Sequence, residues 1–218
     1  MNYTIIDETT NISDEYCRCI YINNSSLSKP LCNEIIQLYE VDNNKYEGIT
    51  MRGFDKNTKD TMDLIMTDET KWIKIKKAIH KELVQNLDKY IEKLNGCHDY
   101  LNTDQQTNIN FKFCEKFKGT QQIPTFMIQR YKKNVGKFVY HEDAHNDLKN
   151  KRFRIITFIW YLNDVCEGGE TVFSGKYAVK PTTGKLLLFP ATWTYPHCGK
   201  IPISNDKYIL TGWIYTNM

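Results

Sequence analysis

Long apolar stretches and paired cysteine motifs are both missing from this sequence, and each absence excludes a class of protein. No apolar run approaches the roughly 20 residues that a helix needs to cross a bilayer, and the N-terminus has no basic segment followed by an apolar core. The seven cysteines are odd in number and scattered, without a Cys-x-x-Cys pair. This pattern indicates free thiols in a reducing compartment rather than a disulfide framework. We expect a cytoplasmic protein that does not bind membranes.

The sequence also lacks a strong charge imbalance, internal repeats and low-complexity segments. Its 29 basic and 26 acidic residues leave a net charge of +3, which gives no argument for nucleic acid as a partner. A chain of 218 residues is most simply one domain, spanning 1–218. A domain of this size buries about 70% of its unfolded surface, so a substantial core is expected.

Helical patterns dominate the first hundred residues. Ser28 can cap a helix that has Pro30 in its first turn. Apolar residues recur every three or four positions over 67–96, which predicts a long helix whose single apolar stripe must lie against a broad sheet. The intervening residues 41–66 show no clear period and are expected to be irregular. We therefore predict a mainly helical bracing segment over 1–100.

Strand patterns dominate the rest of the chain. Short runs rich in β-branched, aromatic and other apolar residues are separated by turn signals. These runs cover residues 125–131, 138–141, 155–162, 185–189 and 208–215. Helices followed by strands predict an α+β chain, with a β-rich catalytic core over 101–218. A sandwich or barrel braced by helices is compatible with this order.

Candidate metal ligands are concentrated in residues 141–147, which hold two imidazoles and three carboxylates. On a strand, His141-x-Asp143 points both side chains to one face, where they can share an Fe(II) ion that keeps open cis positions. On a helix, His141-Glu142-x-x-His145 stacks two histidines for Zn(II) with Glu142 as general base, the zinc metallopeptidase signature. The same string of residues supports both hypotheses.

The flanking residues favour the strand. Residues 138–140 are β-branched and aromatic, and no apolar stripe is present that could hold a helix against a core. The extended zinc motif also fails, because Leu148 and Lys151 stand where its Gly and last His would be. Glu167 or Glu170 could still supply a distant third zinc ligand.

A facial triad needs a second imidazole, and the best candidate is His197, where an apolar strand gives way to a turn. Lys207 opens the last apolar strand, ten positions after His197. A cation beside a metal site could neutralise the far carboxylate of a dicarboxylate co-substrate through a charge-assisted hydrogen bond.

Taken in order, these residues and their neighbours resemble the Fe(II)/2-oxoglutarate dioxygenases of the prolyl 4-hydroxylase type over residues 125–215. The resemblance is carried by Arg130-Tyr131, Gly136, His141-x-Asp143, Tyr161-Leu162-Asn163-Asp164-Val165, Glu167-Gly168-Gly169-Glu170-Thr171-x-Phe173, Val179-x-Pro181-x-x-Gly184, Phe189, His197 and Lys207. It implies a double-stranded β-helix, or jelly roll, braced by N-terminal helices. The upstream Lys59-Asp60-Thr61-x-Asp63 resembles a segment of some members.

The resemblance also implies residue roles and cofactors. Fe(II) would be held by His141, Asp143 and His197. Lys207 would bind the C5 carboxylate of 2-oxoglutarate, and Tyr131 and Tyr161 would help hold this co-substrate. Trp213 would lie near a peptide groove. O2 is the further substrate, and ascorbate is an additional cofactor to test. His145 has no counterpart in the family pattern. Phe138 stands where many relatives have Tyr, and the loops around the site depart from the pattern, so the acceptor is the least defined feature.

Three functions remain open from the sequence. The first is a dioxygenase that couples oxidative decarboxylation of 2-oxoglutarate to hydroxylation of an acceptor. By resemblance the acceptor is a prolyl residue of a peptide or protein, although a free amino acid or another side chain also fits. The alternatives are a zinc metallopeptidase that uses His141, Glu142 and His145, and a jelly-roll binding module without turnover.

Overall fold

The computed structural model describes residues 3–10, 15–97 and 124–217. The helices in these ranges are α1 (Glu15–Arg18), α2 (Lys29–Val41) and α3 (Thr70–Cys97). The strands are β1 (Thr4–Ile5), β2 (Tyr21–Asn23), β3 (Tyr46–Glu47), β4 (Lys59–Asp60), β5 (Met62–Ile65), β6 (Met127–Tyr131), β7 (Lys137–His141), β8 (Asn146–Asp147), β9 (Arg152–Tyr161), β10 (Thr171–Phe173), β11 (Tyr177–Val179), β12 (Leu186–Pro190), β13 (His197–Gly199) and β14 (Lys207–Asn217).

Two sheets form the body of the protein. The first has six strands in the order β1-β11-β10-β13-β7-β4. The second has eight strands, in the order β2-β12-β9-β14-β6-β5-β3, with β8 paired to β9. From β6 onward the chain passes repeatedly from one sheet to the other, which is the connectivity of a jelly roll. The predicted fold class is confirmed.

The two faces of the second sheet bury different sets of residues, because successive side chains of a strand point to opposite faces. On β9, Phe158 and Trp160 share a core cluster with Trp72 and Ile79 of α3. The alternate residues Ile159 and Tyr161 belong to a separate cluster with residues of the first sheet, such as Phe173. The apolar stripe of α3 therefore lies against a broad sheet, as its period predicts. Of the helices described, none is long and apolar enough to cross a membrane.

The first long helix, α2, begins as predicted. Ser28 is its N-cap and accepts a hydrogen bond from the Leu31 backbone N–H, with a proline in the first turn. The second, α3, begins at Thr70 rather than 67 and continues to Cys97, one residue past Gly96. Helix ends commonly shift by a residue or two, because the terminal turn lacks part of its hydrogen bonding.

Residues 41–66 differ from the expectation of irregular structure, because they contain β3, β4 and β5. These strands are only two to four residues long. Their positions depend on pairing with the longer strands β6 and β7 rather than on a period of their own. The segment 1–100 thus supplies strands to both sheets as well as bracing helices. The boundary at residue 100 stays a prediction, because 98–123 lie outside the described residues.

Four cysteines of the described part of the chain are free thiols. They are Cys19, Cys32, Cys166 and Cys198. Burial raises the pKa of the Cys32 thiol to about 11 and also raises that of Cys198. A raised pKa suppresses the reactive thiolate, so these two thiols are structural. The side chains of Cys97 and Cys114 lie outside the described residues.

Two glycines with positive φ offer a matched test of packing at the edge of the second sheet. Gly184 has φ +81°, and an added Cβ would overlap the carbonyl oxygen of Leu27; Gly53 has φ +98° and open space around it. We expect Gly184→Ala to lower the free energy of unfolding by about 3 kcal/mol and Gly53→Ala by only about 1 kcal/mol. Urea denaturation measures both. Equal losses would show that the Leu27 contact does not matter.

Candidate metal centre

Sheet pairing brings the three predicted ligands together. His141 ends β7 and His197 begins β13, and these antiparallel strands place the two residues directly opposite each other. Asp143 follows β7 by two residues; its Oδ1 lies 3.8 Å from His141 Nε2 and its Oδ2 lies 3.6 Å from His197 Nε2. One ligand atom from each residue lies within 4.8 Å of the others. One metal ion can contact all three at this spacing.

Both histidines are oriented by backbone carbonyls. His141 Nδ1 lies 2.8 Å from the Val139 oxygen, and His197 Nδ1 lies 3.1 Å from the Tyr195 oxygen. A carbonyl only accepts, so Nδ1 carries the proton and Nε2 keeps its lone pair for a metal. Burial, together with the neighbouring His197, lowers the pKa of His141 to about 4. The imidazole is therefore neutral at physiological pH, as metal coordination requires.

The carboxylate of Asp143 is buried, with 8% of the residue exposed. Burial by itself would raise its pKa, but the neighbouring His197 and His141 and a 2.7 Å hydrogen bond from the Thr157 hydroxyl outweigh it, so the pKa is lowered. Asp143 is therefore an anion at neutral pH. Two imidazole nitrogens and one carboxylate are a donor set that fits Fe(II) and leaves further coordination positions for substrates.

Aromatic rings enclose the histidines. Phe138 stacks on His141 with ring centres 3.5 Å apart and an interplanar angle of 12°. Phe189 meets His197 edge-on at 4.8 Å, and Phe173 packs on the same ring at 5.7 Å. These contacts fix the ring planes and keep water from the outer side of the ligands.

Lys207 is an almost fully buried cation, with 1% of the residue exposed. Its Nζ donates a 2.9 Å hydrogen bond to the Gly169 carbonyl and lies 3.9 Å from the ring centre of Tyr131. Burial lowers its pKa to about 7, against the opposing charges of Glu170 and Cys198. Within the described ranges, no carboxylate lies at ion-pair distance from it. A buried amine in this state is a suitable partner for a ligand carboxylate.

The three aromatic residues predicted near the site are located as follows. Tyr131 and Tyr161 are buried in the space between the sheets. The Tyr161 hydroxyl donates a 2.7 Å hydrogen bond to Thr171 Oγ1. Trp213 is half-buried, contributes to the low pKa of Asp143, and stacks on the Arg154 guanidinium at 3.5 Å. It therefore lies beside the metal centre.

Residues 126–215 match the family model of the 2OG-Fe(II) oxygenase superfamily. The match covers the β-rich part of the chain that holds His141, Asp143, His197 and Lys207. This match and the ligand triad together identify the protein as a 2-oxoglutarate-dependent oxygenase, with Fe(II) and 2-oxoglutarate as cofactors and O2 as co-substrate. The involvement of ascorbate stays a prediction. No curated protein matches the chain.

Solved prolyl hydroxylases share the fold of this oxygenase. A viral collagen prolyl hydroxylase from Paramecium Bursaria Chlorella virus-1, in a 2-oxoglutarate complex, is 18% identical with a TM-score of 0.58, over 92% of this chain and 97% of that one. A Trichoplax adhaerens prolyl hydroxylase, in complex with a hypoxia inducible factor peptide fragment, is 22% identical with a TM-score of 0.61, over 92% and 84%. A Pseudomonas putida prolyl-4-hydroxylase is 13% identical with a TM-score of 0.56, over 90% and 92%.

The helix that the zinc metallopeptidase hypothesis requires is not formed in this oxygenase. Strand β7 ends at His141 and β8 begins at Asn146, with no helix between them. Glu142 is exposed, and His145 is not part of the ligand cluster that His141 forms with Asp143 and His197. The hypothesis is wrong about the backbone, because the aromatic and β-branched residues before His141 pair as a strand.

Sequence reasoning missed the residues that orient the site, chiefly Thr157 and Gln129. Thr157 donates to Asp143, and Gln129 is hydrogen-bonded to Tyr131. Both are polar residues within otherwise apolar strands and both are buried. The sequence could have indicated these two residues, because each is polar within an otherwise apolar strand. Buried polar groups are hydrogen-bonded to specific partners, so such a residue is expected to contact a second polar group.

Proposed function

We propose that this oxygenase hydroxylates a prolyl residue of a peptide or protein and converts 2-oxoglutarate to succinate and CO2 in the same turnover. The observation that carries the proposal is the placement of His141 and His197 in one sheet, with Asp143 two residues beyond β7, and of the buried Lys207 in the facing sheet. Prolyl acceptors are supported by the three solved neighbours, which are all prolyl hydroxylases. A free amino acid or another side chain remains the competing acceptor.

Each residue group has a separate task in this proposal. Fe(II) and 2-oxoglutarate supply the redox chemistry when bound. The triad holds the metal through two Nε2 atoms and one carboxylate, and Lys207 binds the C5 carboxylate of the co-substrate. Tyr131 and Tyr161 line the same space between the sheets. Trp213, half-buried beside Asp143, offers an apolar ring face to the acceptor.

The test is succinate formation by protein loaded anaerobically with Fe(II), after O2 is admitted, with and without a proline-rich peptide. We expect turnover that the peptide stimulates and a peptide that gains one oxygen atom on proline by mass spectrometry. A chelated sample is the control. Binding of 2-oxoglutarate without any succinate would favour the binding-module hypothesis. Succinate formation with an unmodified peptide would move the acceptor to another class.

The cellular setting is part of the same proposal. We place the enzyme in the cytoplasm, and this placement is supported by the free thiols of Cys19, Cys32, Cys166 and Cys198 among the described residues. Ascorbate would act as a reductant that sustains turnover, and omission of ascorbate from the succinate assay tests this role. Equal turnover over many cycles without ascorbate would remove it from the cofactors.

Binding of 2-oxoglutarate should take up a proton above neutral pH. The pKa of Lys207 is about 7 without ligand, and an adjacent carboxylate favours the ammonium form and raises it. Near pH 8.5 the free enzyme holds mostly neutral Lys207, so we expect uptake of about one proton per ligand and an affinity that falls as pH rises above 7. Calorimetry in two buffers of different ionisation enthalpy measures the uptake. Lys207→Arg, which stays charged, should take up none; uptake equal to that of the wild type would exclude Lys207 as the source.

A further inference from the structure

A buried ion pair, Lys59 with Asp63, lies away from the metal ligands. The Lys59 Nζ and Asp63 Oδ2 are 2.6 Å apart, with 5% and 1% of their side chains exposed. Lys59 is in β4 of the first sheet and Asp63 is in β5 of the second, so the ion pair links the two sheets where the chain passes from one to the other. A pair of apolar side chains could link the sheets here without the desolvation of two charges, which costs several kcal/mol per ion. The use of charges here points to a role beyond stability.

Hydrogen bonds connect this ion pair to Tyr131. Asp63 lies opposite Gln129 in the pairing of β5 with β6. Gln129 Nε2 donates to Asp63 Oδ2 at 3.3 Å, and the Tyr131 hydroxyl donates to Gln129 Oε1 at 3.4 Å. Burial raises the pKa of Asp63, but the ammonium of Lys59 and the hydroxyl of Thr61 both donate to its carboxylate oxygens. These oxygens therefore accept, and Asp63 determines which end of the Gln129 amide faces Tyr131. The hydroxyl proton of Tyr131 is thereby directed to Gln129.

The ring of Tyr131 in turn contacts Lys207. The two residues are opposite each other in the pairing of β6 with β14, and Nζ lies 3.9 Å from the ring centre. The ring also packs on Gly199, where an added Cβ would lie 3.0 Å from Tyr131 Cε1. A desolvated cation over an aromatic face is attracted more strongly than an exposed one. The ring therefore restrains the ammonium group from one side while Gly169 binds it from another.

We propose that Lys59, Asp63 and Gln129 are positioning residues for Lys207, acting through the ring of Tyr131. The inference rests on the proposed 2-oxoglutarate site. Within it, Tyr131 supports the co-substrate through its ring face, and its hydroxyl serves as the tether to Gln129. A lysine side chain that is already restrained loses less conformational entropy when a carboxylate binds. These three positioning residues thus raise the affinity of the protein for 2-oxoglutarate and leave the chemical step unchanged.

The test measures 2-oxoglutarate affinity by calorimetry on Mn(II)-loaded protein, so it requires no turnover. Gln129→Met keeps the side-chain length and removes both hydrogen bonds. We expect this variant and Tyr131→Phe each to bind about fivefold more weakly, with the double variant no weaker than either alone. Tyr131→Leu, which loses the ring as well, should bind more weakly still. In the turnover assay, Gln129→Met should raise KM for 2-oxoglutarate and preserve kcat.

Two further variants separate positioning from stability. Thr61→Val removes the 2.7 Å hydrogen bond that the Thr61 hydroxyl donates to Asp63 Oδ1, on the side of the carboxylate away from Gln129, and should leave the affinity unchanged. The double variant Lys59→Met with Asp63→Leu replaces the ion pair by an apolar pair, which commonly keeps a protein folded. It should melt near the wild-type temperature and bind 2-oxoglutarate as weakly as Gln129→Met.

Three outcomes would overturn the inference. If Gln129→Met bound 2-oxoglutarate with wild-type affinity, the hydrogen bond between Gln129 and Tyr131 would have no effect on co-substrate binding. A large loss in Tyr131→Phe that adds to the loss in Gln129→Met would show that the hydroxyl binds the ligand directly. A wild-type protein that binds no 2-oxoglutarate would overturn this inference and the proposed function together, whereas the first two outcomes leave the proposed function intact.

Discussion

Replacing His141 by alanine should abolish succinate formation, with a loss of at least about a thousandfold. The variant removes one of the two Nε2 atoms that face Asp143, leaving a ligand pair instead of a triad. Loss of about 4 kcal/mol of transition-state stabilisation corresponds to a thousandfold in rate, and an incomplete metal site loses at least that. Metal titration should show weakened Fe(II) binding in parallel. A variant that kept a tenth of the turnover would exclude His141 as a ligand.

Two neighbouring substitutions are the controls for His141→Ala. His145→Ala alters a partly exposed imidazole four positions along, and Glu142→Gln alters an exposed carboxylate next to the ligand. Neither residue belongs to the ligand cluster, so both variants should keep wild-type succinate formation. A melting temperature measured without metal checks that His141→Ala is folded. Loss of activity in Glu142→Gln but not in His141→Ala would reopen the hydrolase hypothesis.

Lys207→Met should weaken 2-oxoglutarate binding by about a hundredfold, which corresponds to the loss of a charge-assisted hydrogen bond of roughly 3 kcal/mol. Calorimetry on the Mn(II)-loaded protein measures this loss, and kcat at saturating 2-oxoglutarate should change less than KM. A matched control is Lys185→Met, because Lys185 is also buried, with its Nζ donating to the Lys180 carbonyl. This control should bind 2-oxoglutarate normally. Equal losses in both variants would mean that Lys207 acts only through the fold.

Without ligand, the Lys207→Met variant should be more stable than the wild type, and the size of this gain in the free energy of unfolding depends on pH. The pKa of Lys207 is lowered to about 7 in the folded state, so unfolding takes up a proton between pH 7 and the ordinary lysine pKa near 10.5. Wild-type stability therefore rises with pH in that window. Methionine has no such penalty, so the gain should be greatest below pH 7 and should shrink above it. Opposite changes in stability and affinity are typical of a residue retained for function.

The local backbone of the site could be predicted from neighbouring residues alone. The strand that ends at His141 follows from Phe138, Val139 and Tyr140, because β-branched and aromatic residues favour extended backbone. The capped start of α2 at Ser28 follows from local side-chain hydrogen bonding in the same way. The short strands β3, β4 and β5 could not be predicted, because their residues show no period of their own and their positions depend on pairing with β6, β7 and each other.

The sequence by itself determined which residues have the right chemistry: two histidines and an aspartate for a metal, and a lysine for a carboxylate. Only the tertiary structure decided how they are oriented and charged. The carbonyls of Val139 and Tyr195 select the histidine tautomers, Thr157 orients Asp143, and burial lowers the pKa of Lys207. Val139 and Tyr195 are each two residues from the histidine they orient, so their effect depends on the local backbone conformation. Thr157 is 14 residues from Asp143, and its contact, like the burial of Lys207, depends on how the two sheets pack together.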